Sequence, residues 1–328
     1  MRKLLLLLLS LMMFMISASA TEFYHFHEDA YPGLYDRDLR ISFDRVRMGS
    51  GAGVLLILDE NGNMLGQRKV DGQAAYDSIK ISITEDMPLG QTIRLVLEKN
   101  GERIDQDECL LAADAAKRDG LRLVKTDEKK IAITFDTACS LGKIPELLDT
   151  LDALNIKCTF FIQGDIMTNY REWVEEIHNR GHELANHSMH HPDMREMSNT
   201  AIYKEITKCN ALIEEVTGQP VTLYRPPSGY YTYRDRAIGR ALGSEMILWT
   251  FDSLDGFKDS SRDKVIKTMY RKSEPGAIIL MHSYGTHTIS VLNEYVPAMQ
   301  AQGYDFVTVT ELMPVGGVLD SQGVMQAP

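Results

Sequence analysis

The chain has 328 residues, a formal net charge of −11 and four cysteines. The length allows two domains. The acidic balance disfavours nucleic acid and other anionic partners. Cys109, Cys139, Cys158 and Cys209 match neither zinc-ribbon spacing nor a compact disulfide framework, so buried thiols are expected, with one disulfide as the alternative.

The first twenty residues read as a secretory signal. Arg2 and Lys3 precede the apolar run LLLLLLSLMMFM, and SASA supplies the small-residue pattern for cleavage at residue 20. The run is short for a membrane span, although an uncleaved anchor is the alternative. Later segments contain nothing long and apolar enough to span a bilayer, so the mature chain is expected to be secreted or cell-wall associated without stable membrane insertion. Nothing in the sequence sets an oligomeric state.

Residues 21–116 have strand grammar. LRISFDRVRM and DSIKISITE alternate, and Asn61-Gly62 and Asn100-Gly101 punctuate two hairpins. Short strands at this spacing predict a small β-sandwich accessory domain. His25 and His27, with their aromatic neighbours, read as a frayed or edge segment, with sugar binding as the alternative. Residues 117–129 are polar and read as a linker.

From residue 130 to 314 the grammar changes. IAITFD is a continuous apolar run, as expected of a strand covered on both faces. KIPELLDTLDALN is helical with Pro145 in its first turn, CTFFI is strand, NYREWVEEIHNRG is helix and HELAN is strand. SNTAIYKEITKCNALIEEVTG is a long helix closed by Gly218, and VTLYR is strand. RDRAIGRAL, EMILWTFD, RDKVIKTMYRKS, GAIILMHS, TISVLNEYVPAMQAQG and YDFVTVTEL continue the alternation. The class is α/β. A distorted parallel (β/α) barrel is predicted, with a doubly wound open sheet as the alternative. Residues 315–328 are aperiodic and read as a flexible tail.

The apolar strands stop at side chains capable of chemistry. IAITFD ends in Asp136, HELAN is followed by His187, His190 and His191, VTLYR ends in Arg225, ILWTFD ends in Asp252 and precedes Asp255, and AIILM precedes His282. Barrels carry their active sites on that edge. The four-residue spacing of His187 and His191 suits two imidazoles on one side of a helical turn, reaching one cation. Solvation of a loop is the plainer reading of the same HSMHH stretch.

In chain order, TFD, HSMHHP, YRPPSG, DSLD and LMH resemble the five motifs of the polysaccharide deacetylase family, whose members deacetylate chitin, peptidoglycan and related N-acetyl sugars. KCTFFIQGD and RGHELANHSMHHP are similar to the text that frames those motifs. The resemblance spans residues 130–312 and leaves out the strand-rich part.

By resemblance, Asp136 is the general base, held by Arg225. His187 and His191 are metal ligands, and Ser188 supplies a supporting hydroxyl. The resemblance implies substrate contacts from Ser228, whose amide meets the oxyanion, from the adjoining Pro227, and from Leu280 at the acetyl methyl group. His282 is the general acid, oriented by Asp255. The implied cofactor is a divalent metal, zinc first, with cobalt or manganese as alternatives. Such an ion lowers the pKa of its water to near 7, and a leaving amine needs a proton donor.

Two departures stand out. The family's usual TFDDG reads TFDTACS here, so Thr137 occupies the position of the third metal ligand without bringing a charge. Gly256, followed by Phe257, stands where the family places Trp. The expected function is a secreted, metal-dependent deacetylase of N-acetylhexosamines in a cell-wall polymer, peptidoglycan first. A catalytically impaired glycan-binding protein and an esterase or amidohydrolase on another acetylated carbohydrate are the alternatives.

Overall fold

The computed structural model describes residues 24–34, 37–45, 53–71, 74, 76–114, 119–138 and 143–328. Residues 1–20, read from the sequence as a signal, and Cys139 lie outside the described residues. Two compact units are present, one ending at Ala113 and the other beginning at Asp114.

The first unit consists of strands β1 (Tyr24–Phe26), β2 (Ala30–Leu34), β3 (Arg37–Arg45), β4 (Gly53–Leu58), β5 (Met64–Val70), β6 (Tyr76–Ile83), β7 (Gln91–Lys99) and β8 (Glu102–Asp114). They form a three-stranded sheet, β1-β3-β6, and a five-stranded sheet, β2-β8-β7-β4-β5. Alternation explains the packing. Ile41, Phe43, Ile79 and Ile81 from the first sheet share one apolar cluster with Leu55, Ile57, Ile93 and Leu95 from the second. The segment holding His25 is an edge strand whose Tyr24 and Phe26 are buried in that cluster. At the β7–β8 turn both Asn100 and Gly101 have positive φ. At the β4–β5 turn only Gly62 does, because Asp59 Oδ1 accepts from the amides of Asn61 and Asn63 and shapes a longer loop.

The second unit adds β9 (Leu123–Val124), β10 (Lys130–Thr137), β11 (Thr159–Ile162), β12 (Glu183–Asn186), β13 (Leu223–Tyr224), β14 (Glu245–Met246), β15 (Phe251–Asp252), β16 (Ile278–His282), β17 (Asp305–Phe306), β18 (Val318–Leu319) and β19 (Val324–Gln326). Its helices are α1 (Ile144–Ala153), α2 (Gly164–Asn169), α3 (Arg171–Asn179), α4 (Asn199–Thr217), α5 (Tyr233–Ala241), α6 (Arg262–Lys272), α7 (Thr288–Gln300) and α8 (Val309–Leu312). Local chemistry sets their ends. Ser198 caps α4 by accepting from the amide of Ala201, and Gly218 closes it at φ 67°. A reciprocal Thr232–Asp235 capping box starts α5.

The main sheet is a curled parallel sheet in the order β14-β13-β12-β11-β10-β16-β15, with β17 also pairing β10. EMILWTFD does not form one strand. Its ends become β14 and β15 on opposite edges of the sheet, and Ile247 to Thr250 cross the gap. The cause is a side chain: the Arg225 guanidinium takes the carbonyls of Ile247 and Leu248, which a closing ladder would otherwise use.

Two expected boundaries are corrected. The stretch read as a linker, 117–129, is built into the second unit from residue 119 onward. Leu121 is fully buried, its amide donates to Met246 O, and its carbonyl accepts from the amide of Leu248. The tail read as flexible, 315–328, contains β18 and β19, which join β9 in a three-stranded sheet. Leu319 and Met325 are buried against Leu121, Val124 and Phe161, so two apolar anchors overrode the aperiodic sequence. Cys109, Cys158 and Cys209 are free and buried, and burial pushes all three thiols up. Among the described residues no helix is long and apolar enough to cross a membrane.

Candidate active site

The carboxyl ends of β10, β12, β13, β15 and β16 surround a cavity of about 290 Å³ lined by Asp136, His187, His191, Ser228, Leu280 and His282 among others. A larger cavity of about 700 Å³ lies in the first unit, but it carries none of the residues that the sequence marks for chemistry.

Asp136 sits at the end of β10, in register with His282 on β16. Its Oδ1 accepts from Arg225 Nη1 at 2.7 Å. Arg225 is fully buried and immobilised. Its other contacts run to Thr134 Oγ1 at 2.9 Å, Ile247 O at 3.3 Å and Leu248 O at 2.9 Å, and the guanidinium lies 3.8 Å from the Phe161 ring centre. A planar five-donor cation fits this pattern, and lysine would not. Burial alone would raise the Asp136 carboxyl. The neighbouring charges of His187, Arg225 and His282, with the Arg225 hydrogen bond, outweigh it and hold the group below its ordinary value.

Burial pulls His187 down to about 4, against a smaller upward pull from Asp136. Its Nδ1–H donates to the carbonyl of Arg225 at 2.9 Å, which leaves Nε2 as a lone pair 3.5 Å from Asp136 Oδ2. Ligating histidines carry this kind of outer hydrogen bond. The His191 ring lies edge-on, 5.0 Å from the His187 ring centre.

The expected helical turn is absent. His187 to His191 form a loop in which Ser188 (φ 64°) and His191 (φ 58°) are left-handed, and this curl brings the rings together. Asn186 Oδ1 accepts from the Ser188 amide at 2.7 Å, and Ser188 Oγ accepts from the His191 amide at 3.0 Å. The amides of Gly164 and Asp165, opening α2, hold the carbonyls of Ser188 and Met189 at 3.0 Å. Gly164 permits that approach, since a Cβ there would lie 2.3 Å from Met189 Sδ. His190 turns away and pairs with Glu205 Oε1 on α4 at 2.6 Å. Two of the three histidines therefore face the cavity.

On the opposite wall, His282 Nδ1 is 2.9 Å from Asp255 Oδ1, and the His282 amide donates to Asp255 Oδ2 at 3.0 Å. Thr288 Oγ1 also donates to Oδ2, at 2.6 Å. Burial works against charging His282, but the Asp255 hydrogen bond and the charges of Asp255, Asp136 and Asp252 prevail and raise its pKa above 6.5. With Nδ1–H committed to Asp255, Nε2–H of the charged ring is the proton free to be given.

Pro227 and Thr137 differ from expectation. Pro227 is buried and does not line the cavity. It begins a tight turn in which Ser228, at φ 56°, reaches the wall instead. Thr137 is fully buried, and its hydroxyl has no hydrogen-bond partner among the described residues. Asp252, a strand end that opens the DSLD motif without a role assigned to it, lines the cavity together with Trp249 and Tyr284, as its place at the end of β15 leads one to expect.

The donor set is compatible with a divalent cation, although it is lean. Two imidazoles, at least one with its lone pair fixed, stand near a carboxylate, and an unpaired buried hydroxyl follows that carboxylate in the chain. Among the described residues no group of three His, Cys, Asp or Glu side chains is arranged to hold a metal.

Residues 123–247 match the family model for polysaccharide deacetylases. The chain belongs to that family. It is 29% identical over 200 residues to the peptidoglycan-N-acetylmuramic acid deacetylase PdaA of Bacillus subtilis, covering 60% of this chain and 76% of that one. It is 33% identical over 184 residues to the peptidoglycan-N-acetylglucosamine deacetylase PgdA of Listeria monocytogenes, covering 56% of this chain and 39% of that one. The fold also resembles a Bacillus anthracis CE4 family pseudoenzyme, at TM-score 0.57 and 24% identity over 72% of this chain and 88% of that one. The family is one of hydrolases acting on carbon–nitrogen bonds. The matched segment of this polysaccharide deacetylase lies in the unit that carries the cavity.

Proposed function

We propose that this chain is a secreted, metal-dependent deacetylase that removes acetyl groups from the N-acetylhexosamines of peptidoglycan. One observation carries the reading: a carboxylate locked by a buried arginine shares a cavity with two converging imidazoles and a separate, carboxylate-supported histidine. The relatives that act on peptidoglycan support the substrate class. The charged start, apolar run and SASA site support secretion.

His187 and His191 would hold the cation, zinc by the preference of imidazole ligands. When bound, the ion supplies Lewis acidity that acidifies water and polarises an amide carbonyl. Asp136, kept ionised by Arg225, takes the proton of the attacking water. The Ser228 turn lines the side where the oxyanion develops, and Leu280 offers an apolar wall to the acetyl methyl group. His282 gives the Nε2 proton to the departing amine, while Asp255 and Thr288 hold its ring and its charge. The products are acetate and a free amino sugar.

The first unit, with two antiparallel sheets around one core, is read as a β-sandwich accessory to the polymer-directed enzyme. Thr137, which removes an anionic ligand, favours a second reading: a glycan-binding protein without turnover.

Acetate release from purified peptidoglycan separates the two readings. The deacetylase reading predicts release that stops on chelation and returns with added zinc, cobalt or manganese. No release under any metal condition leaves the binding-protein reading.

A further inference from the structure

We infer that Asp252 is a substrate-positioning residue that accepts a hydrogen bond from a sugar hydroxyl and selects uncharged N-acetylhexosamines over those bearing a free carboxylate. The inference rests on the deacetylase reading and deepens it. Asp252 ends β15 in parallel register with Leu280 on β16, so the two side chains project on the same side of the sheet, and both line the cavity. Oδ1 is occupied, accepting from the amide of Leu254 at 2.7 Å. That bond is the one hydrogen bond its side chain makes among the described residues, which leaves Oδ2 for a ligand.

The mechanism assigns Asp252 no proton. Asp255 is consumed by His282 and Thr288, and the free oxygen of Asp136 is committed to the proton of the water, so Asp252 is the carboxylate in the lining with an oxygen that neither the mechanism nor, among the described residues, a hydrogen bond uses. A carboxylate in that position recognises a donor, and a sugar ring carries hydroxyls beside its acetamido group. It also repels an anion, such as the free carboxylate of a lactyl ether. The rim suits a sugar ring: Phe257 is 60% exposed, Tyr284 is 39% exposed, and Gly256 between Asp252 and Phe257 adds no side chain to the opening. Aromatic faces beside a hydrogen-bonding carboxylate make a mixed apolar and polar surface of the kind that binding sites use.

Steady-state acetate release from tetra-N-acetylchitotetraose, and from an N-acetylmuramic acid disaccharide with a free lactyl carboxylate, tests the inference in wild type, Asp252→Ala and Asp252→Asn. A lost hydrogen bond to a charged group predicts a KM for the neutral sugar raised about tenfold to a hundredfold in Asp252→Ala, with kcat little changed. Asp252→Asn, which keeps the shape and removes the charge, narrows the preference for the neutral sugar about tenfold. Unchanged KM and unchanged preference in both variants overturn the inference while leaving the deacetylase reading intact. If wild type releases acetate from neither sugar, the deacetylase reading fails. Calorimetric binding of the same two sugars then decides the role of Asp252, since an affinity ratio unmoved by Asp252→Asn overturns it.

Discussion

Gly256 lies directly against the His282 imidazole: a Cβ at 256 would stand 2.5 Å from Nδ1 and 2.8 Å from Cε1. The ring proposed to deliver the proton therefore packs on bare backbone, at the position where the family places Trp. Gly256→Ala should push the ring off Asp255. Misplacement on the scale of an ångström costs about a hundredfold in rate, so kcat should fall by about that factor while metal affinity holds. Kinetics alongside metal titration check this; an unchanged kcat would show that His282 can shift without loss.

Asp255 sets the alkaline limb of activity. His282 must be charged to act as the acid, and its pKa is raised above 6.5, so the rate should fall as pH rises through that elevated value. Asp255→Asn removes the largest upward influence and lets burial dominate. The alkaline limb of kcat/KM should then move toward lower pH, with a loss of about a hundredfold at pH 8. A limb that stays in place would mean that another group gives the proton.

Thr137 supplies an uncharged hydroxyl, buried and without a hydrogen-bond partner among the described residues. Thr137→Asp should add an anionic ligand and tighten zinc binding by about tenfold or more, as read by competition with a chelating dye. Equal affinities would place residue 137 outside the coordination sphere.

The last fourteen residues are structural. Leu319 and Met325 bury side chains beside Leu121, Val124 and Phe161. Truncation after Pro314 exposes that cluster, and two buried side chains at about 1.5–3 kcal/mol each predict a loss of about 3 kcal/mol or more. Urea denaturation of the full chain and the truncated chain should show it. Coincident midpoints would return the tail to the status of an appendage.

Much of the catalytic unit was legible because its signals are local. A strand covered on both faces is a continuous apolar run, and the residue after it falls on the functional edge, so Asp136, Arg225 and His282 could be placed from strand ends alone. The loop after β12 was less legible. His187 and His191 meet through left-handed backbone at Ser188 and His191, held by Asn186 and by the opening of α2, and spacing alone suggested a helix instead. Thr288 could not be found, since it reaches Asp255 from 33 residues away and belongs to no motif. EMILWTFD looked like one strand because nothing local reveals that Arg225 takes its middle carbonyls. The tail misled for a similar reason: pairing with β9 is a long-range contact that leaves little periodic trace.

Asp136 as the base is the central role in the proposed deacetylation. Asp136→Asn keeps the shape and an oxygen for Arg225, so the fold should survive while proton abstraction does not. Acetate release from N-acetylglucosamine oligomers, compared between wild type and this variant at matched zinc occupancy, is the most direct measurement. The expected result is a fall of about a hundredfold to ten-thousandfold in a variant that still folds, with a melting temperature lowered by loss of the charge beside buried Arg225. A variant that keeps its rate within a few-fold of wild type would contradict it.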